Sequence, residues 1–511
     1  MTGRLIYDVD APSSLVDMLD RSVRDYPDRT AIVDDSYRVS YSELNAYVDI
    51  LAARLSFLGV RPDARVALLS GSGLAFTAAA WAVWKLGANL VPLNWRLTAT
   101  DLAAQIADSQ SEFVLVGRTR VDLGRQLEGL TDSTFVFQSD DEPTFLEGAE
   151  SSTFDVAVGE DTPAAMLYTS GTTGRPKGVV ISHGSAVQNS ITATEVIGRR
   201  HEDVELVLAP QFNVTGLCSQ TVPAVHLGMT MVLPDTFDAK QAVRLIDEHE
   251  VSVAVGAPTM WWRILEAADE ESLTSLRLAL YGGAPMPRAL QDLMRTRLPQ
   301  ASFGNGYGMT ETTSMVSYIG GDAAIDRPES VGKPLPITEM RLVSGEDGSD
   351  VPEGDVGEVV VRGPQIALGY WRDSEIVPIV DSEGWLRTGD AARMVDGYIV
   401  LADRLKDVIK RSGESVFSIE VEEVLYQHPD IFEASVVGVP DERMGERVLA
   451  VVALKDERVL EEEDVKSFCR ESLANFKVPS YVMFRDALPR NAGGKVIKEQ
   501  LRKEFSVSAG E

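Results

Sequence analysis

Hydrophobic and polar positions follow one another along the chain in blocks that predict helices and strands in turn. Ser40 and Glu43 match a capping box, and the apolar side chains after them recur at helical spacing. These side chains are Leu44, Val48, Leu51, Leu55 and Leu58. The run RVALL at 65–69 predicts a strand, the stretch at 78–86 predicts a second helix, and ANLVPL at 88–93 predicts a buried strand. Alternation of this kind is typical of α/β architectures.

The end of the chain has a different pattern, in which two strand-like runs flank a polar loop and an amphipathic helix follows. The runs are FEASVVGVP and RVLAVVAL, and the helix is predicted over EEEDVKSFCRESL. In that helix Cys469 shares one face with Val465, Phe468 and Leu473. We therefore expect a small α+β unit in which Cys469 is a core residue rather than a nucleophile.

Three glycine-rich segments stand out as candidate ligand loops. The first, YTSGTTGRPKG at 168–178, follows an acidic, turn-rich stretch at 139–163, so we expect it to open a new subdomain. It lacks the Walker A spacing because Gly178, rather than Ser or Thr, follows Lys177. The other two, LRLALYGGAPM and SFGNGYGMTE, end apolar runs in glycines. Since α/β sheets bind ligands at strand ends, we expect these two segments to face one pocket.

Composition narrows the class of protein. With 511 residues, of which 44% are hydrophobic, the chain is expected to form two or more domains. Its formal net charge of -30 disfavours nucleic acid or an anionic membrane as a partner. Only two cysteines occur, which is typical of a reducing compartment, and no apolar run has the length of a signal peptide or a membrane span. The sequence thus predicts a soluble cytoplasmic protein.

Five segments, taken in order, resemble the motifs of the adenylate-forming superfamily, which includes acyl-CoA synthetases, firefly-luciferase-like enzymes and peptide-synthetase adenylation domains. The segments are LYTSGTTGRPKGV, YGMTETT, WLRTGD, DRLKDVIK and PRNAGGKVIKEQL. The chain most resembles a free-standing acyl-CoA synthetase. This resemblance implies an α/β fold with a large N-terminal domain of stacked β-α layers, 1–402, a hinge at 403–406 and a small mobile α+β domain, 407–511.

The resemblance also implies how ATP is held. The glycine loop would grip the β- and γ-phosphates through Thr169, Ser170, Gly171, Thr172, Thr173, Gly174 and Lys177. The adenine would lie against Gly283, Ala284 and Pro285, with Asn305 and Tyr307 beside it. Asp390 would accept hydrogen bonds from the ribose hydroxyls, and Arg404 would make a second ribose or phosphate contact.

The reacting groups follow from the same resemblance. Thr310 corresponds to a donor to the α-phosphate, and Glu311 to the Mg²⁺ ligand. Lys406 falls at the hinge between two domain orientations, and Lys495 corresponds to the lysine that reaches the attacking carboxylate from the small domain. Simpler interpretations remain open at this stage: a structural turn for the loop, a helix-start carboxylate for Glu311, and a solvated face for the basic residues around Lys406.

The acid site is predicted from Phe212, Asn213, Gly282, Gly306 and Met315. Amino-acid-activating relatives carry an aspartate after an aromatic residue in this region, whereas this chain has Asn213, so a buried substrate ammonium would lack a counter-ion. Many CoA synthetases carry a histidine there. The small and apolar neighbours predict a fatty, aromatic or alicyclic acid. Trp261 and Trp262 either line this pocket or pack in the core.

The expected reaction is acid activation by ATP with Mg²⁺, followed by transfer to coenzyme A. The loop at 412–415 reads Ser-Gly-Glu-Ser where the family has Gly-Gly-Glu-Asn, which affects the fit of the thiol arm. Two alternatives stay open: an acyl- or aryl-AMP ligase that loads a carrier protein, and a nucleotide-binding protein that has lost catalysis. The expected partners are a small carboxylic acid, ATP and CoA, and a homodimer is compatible with the sequence.

Overall fold

The computed structural model describes residues 11–139, 144–145, 156–169, 176–269, 272–284, 286–345, 347–455, 457–490 and 496–508. The helices are α1 (Leu15–Asp25), α2 (Tyr41–Phe57), α3 (Leu74–Lys85), α4 (Ala99–Ser109), α5 (Val121–Glu128), α6 (His183–Ile197), α7 (Val222–Leu227), α8 (Ala239–Glu248), α9 (Pro258–Ala267), α10 (Arg288–Arg297), α11 (Asp322–Asp326), α12 (Ser418–Tyr426), α13 (Glu462–Ser472) and α14 (Lys498–Ser508).

The strands are β1 (Thr30–Asp34), β2 (Arg38–Ser40), β3 (Arg65–Leu69), β4 (Asn89–Pro92), β5 (Phe113–Val116), β6 (Thr134–Phe137), β7 (Pro163–Thr169), β8 (Lys177–Ser182), β9 (Val204–Val207), β10 (Thr230–Leu233), β11 (Val253–Gly256), β12 (Leu278–Gly282), β13 (Ser302–Met309), β14 (Ser314–Gly320), β15 (Ser330–Pro334), β16 (Glu339–Val343), β17 (Gly357–Arg362), β18 (Gly369–Arg372), β19 (Glu375–Val377), β20 (Leu386–Val395), β21 (Tyr398–Arg404), β22 (Ile409–Arg411), β23 (Glu414–Val416), β24 (Ile431–Asp441), β25 (Gly445–Leu454) and β26 (Tyr481–Arg485).

The predicted capping box begins helix α2. The backbone N–H of Glu43 donates to Ser40 Oγ at 3.3 Å, and the backbone N–H of Ser40 donates to Glu43 Oε2 at 2.7 Å. The apolar face that follows is buried up to Leu55, whereas Leu58 is the C-cap and is 38% exposed. Strands β3 and β4, which flank α3, pair in parallel. The predicted α/β alternation is confirmed.

Two large sheets form the main body of the protein. The larger has thirteen strands in the order β16-β17-β20-β21-β15-β14-β13-β12-β11-β9-β10-β1-β2. The second has eight, in the order β19-β18-β8-β7-β4-β3-β5-β6. One core cluster contains side chains from both sheets together with the helices α1, α2, α3, α6 and α7. These helices therefore fill the space between the sheets.

Further helices cover the outer faces of the two sheets. Helices α8, α9 and α10 pack with β9, β11 and β12 in a second cluster, and α4 and α5 pack with β3, β5 and β8 in another. The main body is therefore a stack of helical and sheet layers, as the sequence predicts. Within the described residues, no helix combines the length and the apolar character needed to span a membrane.

The glycine loop at 168–178 does not open a new subdomain, so that expectation is wrong. It joins β7 to β8, which pair in antiparallel fashion, and β7 pairs in parallel with β4. Both strands thus extend the sheet that β3–β6 build earlier in the chain.

The C-terminal unit has a sheet of its own. Strands β23, β22, β25 and β24 pair in that order, and β26 adds to β25. Helices α12 and α13 pack on this sheet, with Val465 and Cys469 fully buried. Cys469 is therefore a core residue, as predicted, and burial raises the pKa of its thiol to about 11. The predicted hinge at 403–406 spans the end of β21 and the residues before β22.

Candidate active site

The ends of β12 and β13 lie side by side in parallel, with Gly282 opposite Gly306. A Cβ on Gly282 would lie 2.5 Å from the carbonyl oxygen of Gly306, so only glycine fits there. Gly283 has a φ of +76° and would present an added Cβ to open space. Ala284, which follows it, is exposed. The strand end therefore offers an open backbone surface against which a planar group can lie.

A polar cluster joins β13, β20 and β21 of the large sheet, and in it Tyr307 and Asp390 are buried while Arg404 is exposed. The hydroxyl of Tyr307 donates to Asp390 Oδ2 at 2.8 Å, and Arg404 Nε lies 3.1 Å from Asp390 Oδ1. Burial, together with the Asp390 carboxylate, raises the pKa of Tyr307 well above its ordinary value, which keeps its hydroxyl a donor. Asn305 is also buried, and its amide donates to the carbonyl of Ser330 at 3.3 Å. The cluster thus holds a carboxylate in a fixed position.

Glu311 lies in a short 3-10 helix, Thr310–Thr312, directly after β13. Its side chain is buried, and its Oε1 accepts a 2.7 Å hydrogen bond from the hydroxyl of Tyr370. Lys177 Nζ lies 5.0 Å from the centroid of the same tyrosine ring. Burial and the neighbouring Glu311 raise the pKa of Tyr370. The lysine of the glycine loop and the acidic residue of the YGMTETT motif therefore meet on one side chain.

Some predicted site residues lie outside the described residues: Ser170, Gly171, Thr172, Thr173, Gly174, Pro285 and Lys495. The residues at the two ends of the glycine loop are described. Thr169 closes β7 and pairs with Lys177 at the start of β8. Thr310 is half-buried at the start of the 3-10 helix.

Gly282, Gly306 and Met315 of the predicted acid site lie on the adjoining strands β12, β13 and β14, and Phe212 and Met315 both pack in the inner core cluster. Phe212 is buried, with its ring 6.1 Å from that of Trp95. Asn213 is half-buried and lies two residues before a π-helix, Thr215–Thr221, whose N-cap is Val214. An added Cβ on Gly306 would meet Met315 Sδ at 2.4 Å, so the Met315 thioether covers this glycine. Gly282, Gly306 and Met315 therefore form an apolar surface at this end of the large sheet.

The two tryptophans do not belong to that surface. Trp261 is fully buried in the cluster on the opposite face of the sheet, where its indole N–H donates to the carbonyl of Leu280. Trp262 packs against the same cluster and places its ring 6.1 Å from that of Phe432 in the C-terminal unit. The pocket interpretation is therefore wrong, and Trp261 is a core residue.

The junction of the two units contains a second buried cluster. Asp403 accepts a hydrogen bond from the backbone N–H of Ser418, and Lys498 Nζ lies 2.8 Å from Glu422 Oε1. Burial acts to lower the pKa of Lys498, but the Glu422 and Asp403 carboxylates outweigh it, so the pKa is raised. Lys498 therefore keeps its charge. Lys406, the predicted hinge residue, is exposed beside this cluster.

The model of the AMP-binding enzyme family matches residues 19–371, and the AMP-binding enzyme C-terminal domain matches residues 420–495. This chain belongs to the AMP-binding enzyme family. A methyl-dioxo-octahydroindenyl-propanoyl:CoA ligase of Rhodococcus jostii (strain RHA1) is 35% identical over 96% of this chain and 99% of its own length. A feruloyl-CoA synthase of an Amycolatopsis species is 34% identical over 95% of this chain and 98% of its own.

Solved structures give the same assignment. The o-succinylbenzoate coenzyme A synthetase of Bacillus subtilis, in complex with ATP and magnesium ion, has a TM-score of 0.85 and 30% identity over 95% of this chain and 98% of that one. The resemblance to acyl-CoA synthetases is thus confirmed, as is the fold of a large N-terminal and a small C-terminal domain. This AMP-binding enzyme is an AMP-forming acid–CoA ligase.

The sequence motifs of this AMP-binding enzyme did not identify Tyr370 or Lys498. Tyr370 lies in the short strand β18, and its only local signal is the strand-like run GYWR. Lys498 precedes the inward-facing Leu501 of α14 by three residues, so helical spacing places a lysine on a buried face. That spacing could have identified Lys498, whereas Tyr370 is brought to Glu311 by strand pairing alone.

Proposed function

We propose that this AMP-binding enzyme activates a carboxylic acid with an apolar body, fatty, aromatic or alicyclic, and passes it to coenzyme A. The observation that carries the proposal is the meeting of Lys177 and Glu311 on Tyr370. A cation and a carboxylate held this close are suited to a metal-bound polyphosphate, whose charges need both kinds of group. The Asp390 cluster includes Tyr307, four residues before Glu311 in the chain, and could hold a ribose.

Mg²⁺ fits the residues at Glu311. Mg²⁺ usually takes one or two protein carboxylates and completes its shell with water and phosphate oxygens, so a dense cluster of ligands is not required. Among the described residues no group of three or more metal-binding side chains occurs, which agrees with a metal that arrives with its nucleotide. When bound, the ion would neutralise phosphate charge. Tyr370 orients the Glu311 carboxylate for this task.

We assign the two half-reactions as follows. An oxygen of the substrate carboxylate bonds to the α-phosphorus of ATP, and the bond to pyrophosphate breaks. The CoA thiol then bonds to the acyl carbon, its proton leaves, and AMP departs. Lys177 and the glycine loop would hold the leaving pyrophosphate, Thr310 would donate to the α-phosphate, and Lys495 would offset charge between the two reacting anions.

The class of acid rests on the acid site and on the named relatives. Asn213, Gly306 and Met315 bring no carboxylate to the site, so an α-amino acid would bury its ammonium without a counter-ion. The relatives named above act on an indenyl-propanoyl, a feruloyl and a succinylbenzoyl substrate, all of which contain rings. We therefore favour a ring-bearing acid, with a fatty acid as the alternative.

The test is a panel of acids assayed for pyrophosphate and AMP, with CoA or with a holo carrier protein as acceptor. We expect an aromatic or alicyclic acid to give AMP and acyl-CoA with CoA. Turnover with the carrier alone would overturn the proposed acceptor. Absence of pyrophosphate with every acid would overturn the proposed reaction and favour a binding protein.

The Lys495→Ala variant tests the division between the two half-reactions. We expect it to lose acid-dependent ATP–pyrophosphate exchange while it still transfers the acyl group from supplied acyl-adenylate to CoA. The same substitution at the exposed Lys503 is a suitable control. Lys498→Ala is not, because Lys498 is buried at the domain junction. Equal loss of both half-reactions in Lys495→Ala would contradict the assignment.

A further inference from the structure

A fully buried ion pair lies beneath the acid side of the active site. Arg199 Nη2 and Glu205 Oε1 are 2.9 Å apart, and their side chains are 1% and 0% exposed. Arg199 Nε has no hydrogen-bond partner among the described residues, although it is buried. A buried donor without a partner costs free energy, and an oxygen atom of a bound ligand would satisfy it.

Two hydrogen bonds join this pair to the acid-site surface. Arg199 Nη1 donates to the carbonyl of Ser219 at 2.8 Å, and Ser219 lies in the π-helix that follows Asn213. The hydroxyls of Ser219 and Ser314 are hydrogen-bonded to each other. Ser314 directly precedes Met315, whose thioether covers Gly306. Arg199 therefore supports the same wall that an acyl group would contact.

A second donor lies in the same region. The Tyr318 hydroxyl reaches across two glycines, since a Cβ on Gly304 or Gly320 would come within 2.2 or 2.5 Å of it. Burial raises the pKa of Tyr318 to about 12, against the opposing charge of Arg199. Tyr318 thus remains protonated and lies within the field of the guanidinium. Both groups can donate to an oxygen.

The surface on the other side of Arg199 is open. An open cleft of about 520 Å³ is lined by Arg199 together with Arg21, Tyr26, Arg200 and His226. Arg199 therefore lies between the acid-site wall and this cleft. The acid site is therefore bounded near Ser219 by a charged side chain, Arg199, as well as by apolar ones.

We propose that the acid substrate carries an oxygen acceptor, such as a keto group or a second carboxylate, at the end remote from the activated carboxyl, and that Arg199 receives it. The inference rests on the proposed function and specifies its substrate class. Glu205 holds the guanidinium in place through its ion pair. An acid that ends in a hydrocarbon would leave the buried Nε unpaired, and sites built to donate a hydrogen bond reject such analogues strongly.

The experiment compares pairs of acids of matched length, one with a terminal keto or carboxyl group and the other with a methyl group. It measures kcat/KM for acid-dependent AMP formation by the full-length enzyme. We expect the oxygenated member of the best pair to be favoured by about 100-fold. Equal use of both members by an active enzyme would overturn the inference and leave the proposed function intact. Inactivity with all acids would count against both.

The variant for this test is the double substitution Arg199→Met with Glu205→Leu. Removing one partner alone would strand a buried charge, whereas replacing both with apolar groups is often tolerated. We expect the double variant to lose the preference, because its kcat/KM falls more for the oxygenated acid than for the methyl-terminated one. The matched control is Lys85→Met with Asp49→Leu, an ion pair between α2 and α3 that should leave the preference unchanged.

A further arm distinguishes a substrate oxygen from a free anion that enters through the cleft. Inorganic phosphate is added without acid, and the melting temperature is followed in the wild type and the double variant. We expect phosphate to shift the melting temperature of the two proteins by the same amount. Stabilisation of the wild type alone, together with equal use of matched acids, would identify an anion site in the cleft and overturn the substrate assignment.

Discussion

The hydroxyl of Tyr370 donates a 2.7 Å hydrogen bond to Glu311 Oε1, while Lys177 Nζ lies 5.0 Å from the centre of the tyrosine ring. Strand β18 brings Tyr370 to this place by pairing with β8, which Lys177 begins. One side chain thus sets the position of the carboxylate and the environment of the lysine. Tyr370 is a positioning residue, since it acts through Glu311.

We expect Tyr370→Phe to raise the Mg²⁺ concentration needed for half-maximal acid activation by about tenfold, because Glu311 loses the donor that orients it. The measurement is pyrophosphate release across a Mg²⁺ titration. Tyr398→Phe is the matched control, since Tyr398 stacks with Arg327 and Lys333 away from Glu311. An unchanged Mg²⁺ requirement in Tyr370→Phe would show that the hydrogen bond has no positioning role.

Asp390 and Arg404 are expected to act on ATP as a unit, because they form an ion pair across β20 and β21. Asp390→Asn should raise the KM for ATP by about tenfold or more. The double variant with Arg404→Gln should be little worse than Asp390→Asn alone, since interacting residues are not additive. The measurement is the KM for ATP of the wild type, both single variants and the double variant. If the double variant raises KM by the product of the two single effects, the residues have independent roles.

Gly306→Ala should impair acid binding while it leaves ATP binding unchanged. The new methyl group would meet Met315 Sδ at 2.4 Å and push this flexible thioether toward the acid side. We expect the KM for the acid to rise by about tenfold and Met315→Ala to restore it in the double variant. Gly282→Ala gives the contrast, because its methyl group would meet a backbone oxygen at 2.5 Å and should destabilise the fold. Failure of Met315→Ala to restore binding would contradict this explanation.

His183 should make the protein less stable at mildly acidic pH. Burial lowers its pKa to about 3, and Nδ1 accepts a hydrogen bond from the backbone N–H of Leu15. Between that value and the ordinary pKa, only the unfolded chain binds the proton, so the free energy of unfolding falls as pH drops below about 6.5. His226, whose pKa is lowered to about 4, acts in the same direction.

The variant that tests this contribution is His183→Asn, which keeps an acceptor for Leu15 but does not titrate. From pH 7.5 to 5.5 we expect the wild type to lose about 1.4 kcal/mol more unfolding free energy than the variant. The measurement is urea unfolding at both pH values. Parallel losses in the two proteins would show that His183 titrates normally.

Patterns that are local in the sequence predicted the helices and strands, but not where these lie in the fold. The capping box at Ser40 and the helical face of Cys469 depend on residues close in sequence, so both could be predicted. The glycine loop was misplaced because the partner of β7 is β4, which lies far earlier in the chain. Pairing between distant strands leaves no periodic signal in either strand.

The candidate site shows the same division. The motifs identified Tyr307, Asp390 and Arg404, and the structure joins them by a hydrogen bond and an ion pair, although three strands lie between β13 and β20 in the large sheet. Their roles in catalysis remain predictions. The Arg199–Glu205 pair was not found, because two charged residues six positions apart reveal neither their burial nor their contact with Ser219. Burial of a charge is a property of the packed layers.

Asp403 and Arg404 are neighbours on β21, and successive side chains of a strand point to opposite faces. Arg404 pairs with Asp390 in the large domain, whereas Asp403 binds the backbone of Ser418 in the small one. A rotation of the small domain can therefore break the second contact without disturbing the first. If Lys495 acts as proposed, we expect the nucleotide to stay bound while Lys495 departs and the thiol enters, so that a single AMP moiety serves both half-reactions before it leaves.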